Sequence, residues 1–170
     1  YRQRLSAEIV DVFDPDTFLS STANRAQKSR RSGIEAQVEY AFGERLHFSA
    51  NYSHLKASEP GDTGSPLREA RRPKHSGSVV ADGQAGRLSY GVSLAYTGSR
   101  IDTDFESFPF RRVTLSSYWL AGARIAYEVG HGVQLFARAA NAFDERYQDA
   151  LGYRTEGRNV YAGIRLAHGR

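Results

Sequence analysis

Apolar and polar residues alternate with a period of two along most of the chain. Ile34, Ala36, Val38, Tyr40 and Phe42 fall on one face, with Glu35, Gln37 and Glu39 on the other. In RLHFSANYSH, residues 45–54, Leu46, Phe48, Ala50 and Tyr52 stand opposite Arg45, His47, Ser49, Asn51 and Ser53. RLSYGVSLAYT, residues 87–97, repeats the arrangement with Leu88, Tyr90, Val92, Leu94 and Tyr96 opposite Arg87, Ser89, Gly91, Ser93, Ala95 and Thr97. Trp119, Ala121, Ala123, Ile125 and Tyr127 form a further row, and Val160, Ala162, Ile164 and Leu166 the last. Successive side chains of a strand point to opposite faces, whereas a 3.6-residue period would scatter these sets around a helix. Weaker alternation in residues 3–12, 75–82 and 133–141 brings the expectation to about eight long strands.

Strand length separates two settings for such a pattern. The best segments run about 10 to 13 residues, against roughly five or six for globular strands and 9 to 11 for a tilted membrane strand. Tyr40, Tyr52, Tyr90, Tyr96, Trp119 and Tyr127 lie near strand ends, as girdles at two membrane interfaces would require. A soluble sandwich also alternates, but its dry core would have to accept the Arg, Glu and Gln of the second face. Connections differ on the two sides. Gly43–Glu44, GQAG at 83–86 and GHG at 130–132 predict tight hairpins, while residues 14–30, 58–73, 99–116 and 143–156 are long. Short turns on one rim and long loops on the other match the periplasmic and extracellular ends of a bacterial barrel, and by this count both chain ends lie on the periplasmic side.

Composition removes other classes. No stretch reaches the 18 or more apolar residues of a membrane helix, and mean hydropathy is negative, as a wall that shows lipid only every second residue allows. With no Cys there is neither a disulfide framework nor thiolate chemistry. A net charge of +4, densest in RAQKSRR at 25–31, comes with no recognition helix or zinc spacing, so nucleic acid is not an expected partner. His47, His54, His75, His131 and His168 are scattered, and no hydrolytic constellation emerges, so no enzyme and no cofactor are expected. The chain starts at Tyr1 without a targeting segment and is read as an excised start.

Several segments carry a family resemblance: YRQRLSAEIVDVF near the start, RRSGIEAQVEYAFGERL at 30–46, YTGSR at 96–100, and NAFDERY at 141–147 followed by GYRTEGR at 152–158. Together they make the chain similar to the C-terminal part of TonB-dependent outer-membrane receptors, and within that family it resembles the vitamin B12 (cobalamin) receptors. The resemblance covers essentially the whole chain. It implies an all-β, transmembrane antiparallel β-barrel segment forming the last third of a 22-strand barrel in the bacterial outer membrane. An N-terminal plug and the earlier strands would be absent from residues 1–170. The expected partners are outer-membrane lipid, a corrinoid as the transported ligand, and TonB through the missing N-terminal part; the segment alone would not transport. Its ending, Leu166 followed by Ala167, His168, Gly169 and Arg170, departs from the terminal Phe usual in outer-membrane barrels.

Ligand contacts are expected on the long loops and the upper inner wall, where a large amide-rich ligand would meet hydrogen-bonding and aromatic side chains. By resemblance Arg71, within LREARRPKH at 67–75, and Tyr153 fall near the ligand; the plainer alternatives are a solvated rim charge and a loop-packing residue. Arg68, Arg72 and Arg158 occupy the same rim. In IDTDFESFPFRR, residues 101–112, Asp102, Asp104 and Glu106 suggest calcium, although the glycine turn and distal glutamate of an EF-hand are lacking. Phe105, Phe108 and Phe110 of this loop could meet a ligand or pack on one another. The competing architecture is a complete eight-stranded barrel with an anchoring role, which requires residues 3–12 to pair with residues 158–167.

Overall fold

The computed structural model describes residues 1–14, 16–43, 45–61 and 64–167, apart from the Phe13 side chain. Glu44 of the first tight turn and the closing His168, Gly169 and Arg170 lie outside the described residues. The strands are β1 (Arg2–Leu5), β2 (Ile9–Asp14), β3 (Leu19–Asn24), β4 (Ser29–Phe42), β5 (Leu46–Pro60), β6 (Pro66–Arg68), β7 (His75–Ala85), β8 (Leu88–Thr97), β9 (Arg100–Asp104), β10 (Arg111–Leu115), β11 (Tyr118–Gly130), β12 (Val133–Ala140) and β13 (Asn159–Leu166). One antiparallel sheet runs β1-β4-β5-β7-β8-β11-β12-β13, with β6 on the upper end of β5; β2-β3 and β9-β10 are separate hairpins. Eight strands thus form the wall. Its end strands are β1 and β13, and among the described residues they do not pair with each other, so the register of a closed eight-stranded barrel is not formed.

Register carries the alternation across the whole wall. Tyr40 faces Phe48, then Ala81, Val92, Ala123, Ala139 and Val160, one apolar row through seven strands. The opposite face has its own row, in which His47 leads to Asp82, Gly91, Arg124, Arg138 and Tyr161. Arg124 reaches across Gly91 to Asp82, with Nη2 donating to Oδ1 at 2.6 Å. A Cβ at Gly91 would stand 2.7 Å from the Arg124 Nε, so this bridge needs a residue without a side chain between its ends.

Among the described residues no second layer covers either face of the wall. Among the described residues only Ala57, Leu115 and Tyr118 are buried apolar residues, while Ile34, Val38, Val92 and Ile164 are each more than half exposed. Leaving such side chains in water forfeits about 1.5–3 kcal/mol each, so a sheet of this kind is stable only where lipid covers the apolar face. The soluble sandwich therefore fails for want of a core, and no helix is long and apolar enough to cross a membrane among the described residues.

Four details differ from the sequence pattern. The single strand expected at 3–12 is broken: Ala7 takes a positive φ of 56°, β1 stays in the wall and β2 leaves it to pair with β3. Tyr1 exchanges backbone bonds with Gly33, ten residues and about 33 Å along β4 from the tight turn at Gly43. The chain start therefore lies in the wall near the long-loop rim, away from the short-turn rim expected for it. Gly83 and Gln84 belong to β7, and the turn is Gly86–Arg87. The Tyr90 ring lies over Gly83, where a Cβ would come 2.5 Å from it and push the ring aside. Finally, the long connection at 14–30 contains β3, which pairs back on β2, and the one at 99–116 contains the β9-β10 hairpin.

Candidate functional site

The long-loop rim is organised around buried polar side chains. Asp102, on β9, is 1% exposed. Its Oδ1 accepts from Arg71 Nε and from the Thr103 amide, both at 2.9 Å, and its Oδ2 accepts from the Leu151 amide at 2.8 Å. Burial pushes the Asp102 carboxyl up, but the Leu151 and Thr103 amides and the Arg71 guanidinium outweigh it and hold the group below the ordinary carboxylate value. One carboxylate thereby joins the loop after β6, the β9-β10 hairpin and the loop after β12.

A second knot lies beside it. Arg100, 2% exposed, donates from Nη2 to the Gln148 carbonyl and to Asp149 Oδ1 at 3.1 Å. Tyr118 donates its hydroxyl to the same Asp149 oxygen at 2.7 Å, lies under the Arg100 guanidinium at 5.1 Å and packs on Tyr147 with ring centroids 4.3 Å apart. The third knot is the NAFD turn. Asn141, at φ 47°, donates to the carbonyls of Glu145 and Glu156 and accepts from the Glu145 amide, while Asp144 accepts from the Arg158 amide. Further up, Glu69 accepts from Arg31 at 2.7 and 2.8 Å and from Arg72 at 3.2 Å. Burial raises the Glu69 carboxyl, and these two arginines more than offset it, leaving it below its ordinary value.

The expected contact residues occupy different situations. Arg71 takes φ 58°, its amide donates to the Ile101 carbonyl at 2.7 Å, and among the described residues only its Nε is engaged by a side chain, with the Arg71 side chain about half exposed. Tyr153 sits on a turn closed by its amide donating to the Ala150 carbonyl, and the residue is 73% exposed. Asp102 brings their two segments together, through Arg71 itself and through Leu151, but among the described residues no hydrogen bond or ring contact joins Arg71 to Tyr153. Beyond them, Phe105, Phe108 and Phe110 pack edge to face at the hairpin tip and stay exposed, Phe108 at 93%. A cleft of about 750 Å³ opens between residues 114–117 and the loop after β12, lined by Tyr147, Gln148, Arg154 and Thr155 among others.

The calcium reading of Asp102, Asp104 and Glu106 does not hold. Asp102 spends both oxygens on Arg71 and two amides, Asp104 accepts from the Glu106 amide at 3.0 Å, and no metal-holding group of three or more carboxylates or histidines forms among the described residues. Sequence reasoning took Asp102 for a possible ligand and missed that it holds the loops together. The alternation of Ile101, Thr103 and Val113 with charged neighbours was the available sign that this loop is a hairpin.

The family model described as TonB dependent receptor-like, beta-barrel, matches residues 1–142. Solved structures agree in fold. The pyoverdine outer membrane receptor of Pseudomonas aeruginosa PAO1 superposes with a TM-score of 0.78 over 98% of this chain and 26% of its own, at 14% identity. The ferric-catecholate import receptor of E. coli K12 gives 0.75 over 97% and 24%, at 20% identity, and the siderophore receptor PiuA of Acinetobacter baumannii 0.70 over 96% and 25%, at 20% identity. The chain spans about a quarter of these relatives.

These relatives correct the expectation of a cobalamin receptor with a corrinoid as ligand and partner, because they are named for pyoverdine, ferric catecholate and siderophore. The physical reason lies in the residues that carried the resemblance. Asn141 and Asp144 of NAFDERY turn their side chains to backbone groups of their own loop, so the motif reports the fold of the closing loop and says nothing of the ligand. With its wall, its register and the match over residues 1–142, the chain belongs to the TonB-dependent receptor-like β-barrels of the bacterial outer membrane, which are not enzymes.

Proposed function

We propose that this chain forms about the last third of a 22-strand barrel, and part of the outer rim, of a TonB-dependent transporter that captures and imports a ferric siderophore. The observation that carries the reading is an open eight-strand wall with a lipid-facing apolar side, whose fold is that of receptors named for pyoverdine, catecholate and siderophore. On this reading the rim of tight turns is periplasmic and the long loops face the exterior. The plug and the segment that engages TonB belong to other parts of the polypeptide.

Within the rim, Tyr153 and Phe108 are among the exposed aromatic surfaces available to the flat rings of a chelating ligand, and the outer end of the Arg71 guanidinium can pair with its negative charge. Asp102 serves by holding these groups in place. The test uses the full-length polypeptide, purified folded in detergent, titrated with a panel of ferric catecholate, hydroxamate and mixed-type siderophores. Saturable binding of one class is expected, weakened about tenfold, or ~1.4 kcal/mol, by Tyr153→Ala combined with Phe108→Ala. Absence of saturable binding across the panel by folded protein would overturn the reading.

A further inference from the structure

Two of the five histidines meet on the outer face of the wall. Ile34, His54 and His75 stand in one pairing row across β4, β5 and β7, and β8 continues it with Gly98, whose amide donates to the His75 carbonyl at 2.8 Å. The strands on both sides of the pair are therefore in place, and its surroundings are set within the wall. The two imidazole rings lie 4.9 Å apart between centroids, tilted by 44°. The row below carries Tyr52, Gly77, Tyr96 and Trp119, an aromatic belt on the long-loop side of the apolar band. The histidines stand just above that belt, half-buried and within reach of ions from water.

Three histidine or carboxylate side chains come together nowhere among the described residues, so this pair offers two bonds and leaves the other positions of an ion to water. Two imidazoles on one tetrahedral ion, with bonds of about 2.0–2.1 Å, hold their ring centres about 5 Å apart, which is the spacing of His54 and His75. His75 Nδ1 lies 2.7 Å from the Tyr52 hydroxyl. With Nδ1–H donating to that oxygen, Nε2 keeps the lone pair that a metal takes and the ring is held in one orientation, as ligating histidines usually are. Gly77 and Gly98 place no side chain next to His75 to fill the space. Lys56, two residues above His54 on the same face, and Lys74 beside His75 oppose a bound cation. That repulsion works against Ca²⁺ and Mg²⁺, which need oxygen ligands, and leaves ions whose bonds to imidazole nitrogen are strong.

We infer that His54 and His75 form a two-imidazole site for a divalent transition ion of the group Cu²⁺, Ni²⁺ and Zn²⁺, which fastens β5 to β7 at the long-loop end of the outer face. Cu²⁺ binds nitrogen sites most tightly of the three and is the probe of choice. The site faces away from the lumen, so it stands or falls independently of the siderophore reading.

The test uses the full-length polypeptide without a histidine tag, folded in detergent, stripped with a chelator and titrated with Cu²⁺. Electron paramagnetic resonance should show an ion bound through two nitrogens. The single variants H54Q and H75Q, checked for folding by heat-modifiable migration, should weaken that binding at least tenfold, and Y52F should weaken it about tenfold by freeing the His75 ring. H47Q and H131Q should leave it unchanged. Cu²⁺ should also raise the temperature at which the parent's migration changes, and not that of the double variant H54Q/H75Q, because an ion bound to the folded form stabilises it. Equal Cu²⁺ stoichiometry and an equal two-nitrogen signal in parent and double variant would overturn the site, as would a folded parent that shows no two-nitrogen signal.

Discussion

In the wall, a row such as Tyr40, Phe48, Ala81, Val92, Ala123, Ala139 and Val160 is aligned by ladder pairing and left exposed on its apolar side. At the long-loop rim the reverse holds: Asp102 and Arg100 are almost fully buried, Asn141 nearly so, and each joins segments far apart in the chain. The wall relies on its solvent being lipid, so its stability belongs to a face. The rim holds the buried apolar side chains found among the described residues, Ala57, Leu115 and Tyr118, and is tied together by individual polar side chains that bond to distant segments. A rim residue is therefore hard to replace singly, while a wall position is sensitive mainly to which face it occupies.

Asp102→Ala tests the rim at its centre. It strips the Thr103 and Leu151 amides of their acceptor at a buried site, each costing roughly 1–3 kcal/mol. Residues 141–157 should become open to protease and siderophore affinity should fall more than tenfold, while heat-modifiable migration of the barrel stays unchanged. If the loops stay protected, the rim is held by something other than this carboxylate. For the wall, Val92→Arg should lower folding stability in lipid by about 2–4 kcal/mol, as a charge placed on the lipid side near mid-bilayer does. Ser89→Arg, three residues away on the inward face, should cost under about 1 kcal/mol. Equal costs in denaturant titrations would mean that the assignment of faces is wrong.

Acid should separate the two regions more gently. Asp102 and Glu69 are both held below ordinary carboxylate values in the folded rim. A group whose folded value is lowered contributes fully above its unfolded value, roughly pH 4, and loses that contribution as pH falls through the folded value. Hydrogen exchange in residues 69–74 and 148–151 should therefore accelerate below about pH 4, with the β5-β7 and β8-β11 ladders unchanged. Simultaneous loss of protection in wall and rim would contradict the independence of the two regions.

Much of the wall was legible because period-two alternation is a local signal. Once Leu46, Phe48, Ala50 and Tyr52 share a face, pairing with the similarly patterned Ala36, Val38 and Tyr40 fixes the parity of the register, since a slip of one residue would turn every apolar side chain inward, and the shortness of the turn after Phe42 selects among the registers left. Where the signal failed, a tertiary contact had intervened. Gly83 reads as a turn residue and is instead the space under Tyr90; residues 3–12 read as one strand and are divided at Ala7, where β2 departs to pair with β3.

The candidate site was legible only in part. Arg71 and Tyr153 could be placed on the right rim, but Asp102, which brings their segments together, looked like a metal ligand because its partners are 31 and 49 residues away. The amino-acid sequence by itself determined the alternation of the wall, its two faces, the two kinds of rim and the TonB-dependent receptor family, but neither the hairpins of the long-loop rim nor the ligand branch within that family. Only the tertiary structure decided which charges are paired and which are bare: Arg31 with Glu69 and Glu8 on one side, Arg30 with no ion-pair partner among the described residues on the other. Neighbours in sequence point to opposite faces of a strand, and what awaits each of them is set by strands and loops that come from elsewhere in the chain.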